Sequence, residues 1–540
     1  MSPIDFGYPS PAEFDDEVQD LVAARVASRI TAGDSMLWGE AAASEAAQRL
    51  GWVDLPVESE ALVDDILSLR QELLAEGVDI VTLAGMGGSS LAPEVICATA
   101  GVELEVLDTS DAGQVAEAIG TDLSRTVLVV ASKSGSTVET DSHRRAFAAA
   151  FEAAGIDPAS RIIVVTDPGS PLQRLAEDEG YRRVFLANPA VGGRYSALSA
   201  FGLVPSGLAG ADIARLLAEA REFSPQLTAD SPTNPALQLG AFLGVAHARD
   251  TEKLVIAETT TAVVGLGAWL EQLIAESTGK DGEGILPVVV EGVAAPGFGD
   301  ARADAMLLFL GRAEGDHQPA SGFACAVDLP LGAQFLLWEY ATAITGYSIG
   351  INPFDQPDVE AAKANTRRLL SGDLTAAAEE PAFVEDGVEV YGQESLLAGA
   401  RSLEAALRAL ADAADEYGYL AIQAYLDRNA DTRAALLRQA GALRTGLQTT
   451  FGFGPRYLHS TGQYHKGGHP NGVFLQITGD NRTDLLIPGL GFSFGQLQRA
   501  QAAGDAQVLL ERNRPVLRVH LHDRARGISQ LLEAFGFRVD

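Results

Sequence analysis

The sequence predicts an α/β protein: two αβ sandwiches, each a mostly parallel sheet flanked by helices, then a helical and αβ C-terminal region. Three observations carry this. Apolar runs of strand length alternate with Ala-rich helical stretches from about residue 61. A second alternation begins after the linker-like SPTNPA (Ser231 to Ala236). The 540 residues are too many for one core, and 47 % of them are hydrophobic, enough to fill several.

The elements follow in order. SPAE (Ser10 to Glu13) opens a helix, with Ser10 as N-cap, Pro11 in the first turn and Glu13 reaching back. An amphipathic stretch continues to about Ile30. DDILSLRQELLAEG is a helix ended by Gly77, and VDIVTLAGMGG is a buried strand entering glycines. LEVLDT, TVLVVASKS, RIIVVTD and RRVFLA complete the strands of the first sandwich. KLVIAE, GILPVVVEG, AMLLFLG and GFACAVDLP are strands of the second, with TAVVGLGAWLEQLIAESTG and LGAQFLLWEYATAITGYSI as helices. From about Asp373 a helical, Ala/Leu-rich region runs to Thr449. The tail adds the strands GVFLQITGD and PVLRVHLHD and the helix ISQLLEAF. The expected units are a helical N-terminal segment (1–60), two sandwiches (61–230 and 237–372) and a helical and αβ C-terminal region (373–540).

Composition narrows the function. Lys and Arg number 39 against 73 Asp and Glu, a net charge of −34 that argues against nucleic acid and anionic membrane as partners. The two cysteines, Cys97 and Cys325, read as reduced thiols of a cytosolic protein. The N-terminus has neither a basic n-region nor an apolar h-region, so no signal peptide is expected, and no apolar run is long enough to span a bilayer. The expected location is cytoplasmic.

Six stretches carry chemistry. GMGGSSLAP (Gly85 to Pro93) follows a strand with glycines that let backbone amides approach an anion. It is neither a GxGxxG fingerprint nor a GK[ST] loop, which disfavours a nucleotide; the plain alternative is a tight strand-to-helix turn. ASKSGSTVET (Ala131 to Thr140) puts five hydroxyls into ten residues at a strand end. A helix cap needs one or two, so the loop reads as a cradle for phosphate built from neutral donors. VGGRYSALSA offers Arg194 on a glycine turn, able to meet a developing oxyanion or to make an ordinary salt bridge. AESTGKDGEG puts Glu276 at a helix C-terminus, where the dipole pushes a carboxyl pKa upward and suits it to general-base work; the alternative is a solvated glutamate. In NPFDQPDVEAAK, Gln356 and Lys363 stand seven apart, about two helical turns and so one face. PRYLHSTGQYHKGGHP carries His459, His465 and His469, three of the eight histidines, without HExxH spacing or an acidic ligand in the segment. A single acid/base histidine is the better functional reading there, and no metal is expected.

Together these motifs resemble one family, glucose-6-phosphate isomerase (phosphoglucose isomerase), in nearly family order from Gly85 to Lys363. More closely, the chain resembles the isomerase portion of actinobacterial transaldolase–isomerase fusions, including LHSTGQYHKGG, and the resemblance implies isomerase activity only. The resemblance implies two sugar-isomerase (SIS) type αβ sandwiches and a C-terminal tail. It implies that Gly88 and Ser89, with Ser132, Lys133, Ser134, Ser136, Thr137 and Gln356, bind the substrate, Gly135 and Ser136 replacing the family's bulkier and threonine residues. It makes Arg194 the residue near the enediolate, Glu276 the base and Lys363 an aid to ring opening. Asp358 and Ala362 stand where the family has glycines. The ring-opening histidine departs from family order. His317 in GDHQ is a poor match, so His465 is the choice and His459 the next.

The implied reaction is the interconversion of glucose 6-phosphate and fructose 6-phosphate through a cis-enediol, without metal or organic cofactor. The expected partner is a small sugar phosphate, and the expected assembly is a homodimer whose histidine can come from the partner chain. The alternatives are a dual-specificity phosphoglucose/phosphomannose isomerase, a non-catalytic SIS sugar-phosphate sensor and a nucleotide-binding protein.

Overall fold

The computed structural model describes residues 4–120, 122–315, 317–358, 365–370 and 380–538. Three sheets organise the chain. The first holds β2 (Ile80–Gly85), β3 (Glu105–Leu107), β4 (Thr126–Ala131), β5 (Ile162–Thr166) and β6 (Arg183–Leu186) in the order β3-β2-β4-β5-β6, all parallel. Its β4, TVLVVA, is buried on both faces, as a parallel strand under helices must be. After β2 the chain steps out to β3 and then returns to β4 on the other side. The carboxyl ends of β2 and β4 therefore flank a topological switch point, where open α/β sheets bind ligands.

The second sheet holds β7 (Lys253–Glu258), β8 (Leu286–Val290), β9 (Ala305–Leu310) and β10 (Ala324–Val327) in the same winding, β10-β9-β7-β8. A short strand, β1 (Ile4–Gly7), closes its edge antiparallel to β10, so the N-terminal segment expected to be helical also supplies a strand. The helix expected at SPAE spans Pro11–Ala23, but Ser10 makes no side-chain cap bond and Glu13 pairs with Arg249 at 2.6 Å.

The C-terminal region departs most from the sequence reading. It is a six-stranded sheet in the order β11-β12-β16-β15-β13-β14. The strands are β11 (Phe383–Glu385), β12 (Val388–Tyr391), β13 (Tyr419–Tyr425), β14 (Gln448–Phe453), β15 (Gly472–Gly479) and β16 (Val516–Leu521). The parallel part, β14-β13-β15-β16, repeats the winding of the other two sheets. β11, β12 and β13 lie in the stretch expected to be helical, and β14 starts at its end. β13, YLAIQAY, is a short apolar run between Ala/Leu-rich helices, where periodicity alone does not separate a buried strand from a buried helix.

One large apolar cluster joins the N-terminal helices to the first two sheets, and a second fills the third sheet. A third cluster packs Val255, Leu286 and Leu307 of the second sheet against Tyr419, Phe474 and Leu509 of the third region. The third sheet is thereby seated on the second. No helix among the described residues is long and apolar enough to cross a membrane.

Candidate active site

The glycine turn leaves β2 as a single 3₁₀ turn, Gly87–Ser89, before the helix Leu91–Ala100. Ser90 donates its hydroxyl to the Gly87 carbonyl at 3.1 Å. Gly88 has no substitute here: a Cβ on it would lie 1.9 Å from the carbonyl oxygen of Gly193. The turn that follows β2 and the turn that carries Arg194 thus touch backbone to backbone.

The hydroxyl loop leaves β4 next door. Ser132 and Thr137 share a hydrogen bond at 3.0 Å, and so do Ser134 and Ser136. Gly135 supplies the left-handed residue of the turn, at φ +66°. Thr137 is the N-cap residue of the helix Val138–Ala153 but makes no side-chain cap bond. The hydroxyls therefore bond to each other beside an N-terminus whose dipole favours an anion. Lys133 is drawn aside, ion-paired with Asp167 and donating to the Pro189 carbonyl at 3.2 Å.

Arg194 and Glu276 approach from two different sheets. Arg194 sits in the 3₁₀ turn Gly193–Tyr195 that follows β6, 3 % exposed. Its Nε donates to Ser277 Oγ at 2.8 Å and its Nη2 to the carbonyls of Pro353 at 2.7 Å and Asp355 at 3.0 Å. Its Nη1 donates to Gln356 Oε1 at 3.3 Å and lies 3.8 Å from Glu276 Oε2. A guanidinium with this many fixed acceptors is held in one orientation before any substrate arrives. Glu276 lies in the last turn of the helix Leu266–Thr278, and Gln272, one turn earlier, donates to its Oε2 at 3.1 Å. Just beyond, Lys280 donates to Asn352 O, Asp355 O and Asp355 Oδ1 at 2.7 to 2.8 Å. Burial, and then the Arg194 charge beside it, lower the Lys280 ammonium to about 8.

The third sheet closes the site with the segment between β14 and β15. Its 3₁₀ turn Arg456–His459 is pinned to the first-sheet region by Arg456, which donates to Asp108 Oδ2 at 2.5 Å and to Glu94. His459 then presents Nε2 3.3 Å from Glu139 Oε1, while its carbonyl accepts from Gln272 Nε2 at 2.9 Å. Gln501 donates to the same Glu139 oxygen at 2.6 Å. A carboxylate on a ring nitrogen fixes tautomer and orientation, as an acid/base histidine requires.

The choice of His465 is corrected by this geometry. It is 2 % exposed and absent from the cavity wall, with Nδ1 3.1 Å from the Tyr419 hydroxyl and its ring stacked on Tyr419. Burial, then Lys466 and Arg514, lower its pKa to about 3, so it is a neutral core histidine. His317, the poor family match, packs against Phe298 and Phe309.

These elements enclose a cavity of about 650 Å³. Gly88, Ser89, Ser132, Lys133, Ser134, Ser136, Thr137, Arg194, Glu276, Gln356 and His459 all line it. Lys363 lies outside the described residues. Sequence reasoning missed Glu139, Gln272, Lys466 and Gln501, which also line the cavity. Gln272 had a signal, four residues before Glu276 on one helix face. Lys466 lies beside His465 in a segment read only for its histidines, and Gln501 had no signal, because the fold brings it from the third sheet region. Asp358, placed where the resemblance has glycine, also meets that region: Gln463 donates to its Oδ2 at 2.7 Å, and Arg512 pairs with it. Among the described residues, five cations, Arg49, Lys133, Arg194, Arg367 and Lys466, face three carboxylates in the wall, so a very acidic chain keeps a site suited to an anion.

Residues 74–305 match the family model described as phosphoglucose isomerase. A glucose-6-phosphate isomerase of Thermus thermophilus is 31 % identical over 388 residues, covering 61 % of this chain and 92 % of that protein. One from Exiguobacterium sibiricum is 29 % identical, covering 59 % and 86 %. Among solved structures, a hypothetical protein from another strain of Thermus thermophilus superposes with a TM-score of 0.59 at 26 % identity, over 68 % of this chain and all of that one. A glucose-6-phosphate isomerase of Chlamydia trachomatis shares the fold with a TM-score of 0.55 at 19 % identity, over 67 % and 86 %. With the switch-point cavity and these relatives together, the chain belongs to the phosphoglucose isomerase family.

Proposed function

We infer that the chain interconverts glucose 6-phosphate and fructose 6-phosphate, with Glu276 moving the proton between C2 and C1 of a cis-enediol. The observation that carries this is the Glu276–Arg194 pair, 3.8 Å apart, in one cavity with the five-hydroxyl loop. The loop and the Gly87–Ser89 turn bind the phosphate, a remote group whose binding energy orients the sugar. His459, steadied by Glu139, assists ring opening by moving the proton between the ring oxygen and O1; Lys363 belongs to the same step. Glu276 takes the C2 proton of the open aldose and returns it to C1, while protons exchange between O1 and O2. Arg194 stabilises the oxygen that becomes negative.

Homodimer assembly belongs to the same reading, although His459 reaches the cavity from its own chain. So does a cytoplasmic location, in keeping with two buried free thiols.

The test gives purified chain fructose 6-phosphate and detects glucose 6-phosphate with its dehydrogenase. Glu276→Gln is expected to lower kcat by about 10²–10⁴-fold, the usual contribution of a positioned base. Wild-type chain that binds sugar phosphate without turning it over would sink the enzyme reading in favour of a sensor.

A further inference from the structure

Outside the cavity, three side chains from three separate elements converge. His247 ends the helix Pro235–His247, Glu283 lies in the turn between the Glu276 helix and β8, and His469 follows the short helix Gly462–Gly467. None of the three lines the active-site cavity. Their ligand atoms lie within 4.8 Å of one another. Glu283 Oε2 is 3.3 Å from His247 Nε2 and 3.8 Å from His469 Nε2.

Hydrogen bonding decides which ring nitrogens carry lone pairs. His469 Nδ1 lies 3.0 Å from Glu252 Oε2, so the proton is on Nδ1 and Nε2 is bare. That Nε2 is shielded from solvent and has no hydrogen-bond partner among the described residues. Glu252 is itself fixed, its Oε1 receiving Lys253 Nζ and Asn471 Nδ2, each at 2.5 Å. At His247 the backbone N–H of Gly284 donates to Nε2 at 3.4 Å, so this nitrogen too is an acceptor. Two ring nitrogens and a carboxylate oxygen therefore lie together, with only the long Gly284 contact on one of them.

Such a group is balanced by a cation. A single ion with bonds of roughly 2.0–2.1 Å joins all three by drawing together ligand atoms that already lie within 4.8 Å of one another. The Glu252–His469 bond is the carboxylate–histidine arrangement that orients metal ligands. Imidazole with carboxylate selects a borderline transition ion over magnesium or calcium.

We propose that His247, Glu283 and His469 form a three-ligand site for a divalent transition-metal ion of the zinc type, oriented by Glu252. The ion staples the turn after the catalytic helix to the segment that enters β15 and to the helix that enters β7. Its role is structural. The turn already bonds to that segment through Gly282 N–H and Gly467 O at 2.8 Å, and the ion reinforces the same joint.

The experiment uses the full chain, stripped with a chelator, and titrates Zn²⁺ by calorimetry, with Co²⁺ absorption as a second probe. The expected result is one ion per chain, a tetrahedral-type Co²⁺ spectrum and a Zn²⁺-dependent rise in Tm. His247→Gln and His469→Gln abolish all three, and Glu252→Gln weakens Zn²⁺ by about 10–100-fold. Glu283→Gln, on a half-exposed turn, serves if a histidine variant fails to fold. A His520→Gln/His522→Gln double variant removes the exposed Asp480–His520–His522 cluster and is expected to keep the ion. The proposal is overturned if the wild-type chain takes up no Zn²⁺. It is equally overturned if uptake survives in His247→Gln and His469→Gln but vanishes in the double variant.

Discussion

His459 offers Nε2 to a carboxylate at the cavity wall, whereas His465 offers Nδ1 to a phenol inside the core. The two are expected to fail differently. His459→Gln should lower kcat on cyclic substrate by about 10²-fold or more while leaving Tm within a few degrees. His465→Gln should cost about 1–3 kcal/mol of stability through an imperfectly paired buried group, with kcat of the folded fraction nearly unchanged. Exchange of these outcomes between the two variants would reverse the assignment. Of the residues that were legible in the sequence, Ser89, Ser132 and Thr137 follow the ends of β2 and β4, Arg194 sits on the glycine turn after β6, and Glu276 lies in the last turn of its helix. Local spacing carries their placement. The choice between two histidines in one segment depends instead on which one Tyr419 and Phe474 enclose, and no local pattern encodes that.

The helix Leu266–Thr278 holds two carboxylates in different surroundings. Glu276 faces Arg194, while Glu271, one turn and a residue earlier, is met by the Ser460 hydroxyl at 3.4 Å. Burial, opposed in part by Arg456, raises Glu271 from 4.5 to about 7. Between those values the folded chain keeps a proton that the unfolded chain has lost. Stability therefore falls as pH rises through that window and stays lower above it. Glu271→Gln removes the slope, so its Tm gain over wild type is expected to be larger at pH 8 than at pH 5. Equal gains at both would show that Glu271 does not titrate in the window. Element reading succeeded for β2 to β10 because each of these strands is bounded by a glycine turn or a polar loop, and it missed only β1 in the first two sheets. It failed for β11, β12 and β13, which lie inside the long region expected to be helical, where only partner strands make a run such as YLAIQAY a strand.

At the scale of the whole molecule, three sheets with one winding pattern meet around a single cavity, and the third covers it with His459, Lys466 and Gln501. The wall that contains His459 is thus built within one chain. Specific activity is expected to stay constant on dilution into the nanomolar range, and a fall with dilution would show that a second copy completes the site. The third sheet was the least legible part, since its contribution depends on docking through Tyr419, Phe474 and Leu509 and not on any motif. The Gly88–Gly193 contact has a mechanical meaning as well. With carbonyl oxygen where a Cβ would be, the two turns have no play and behave as the jaws of a fixed gauge. In the proposed reaction, one jaw belongs to the phosphate end and the other aims the Arg194 guanidinium at the reacting oxygens. A gauge sorts by reach: a sugar one carbon shorter seats its phosphate and leaves C2 short of Glu276. An aldopentose 5-phosphate should then be turned over with kcat/KM lower by about 10²-fold, the loss that an ångström of misplacement brings.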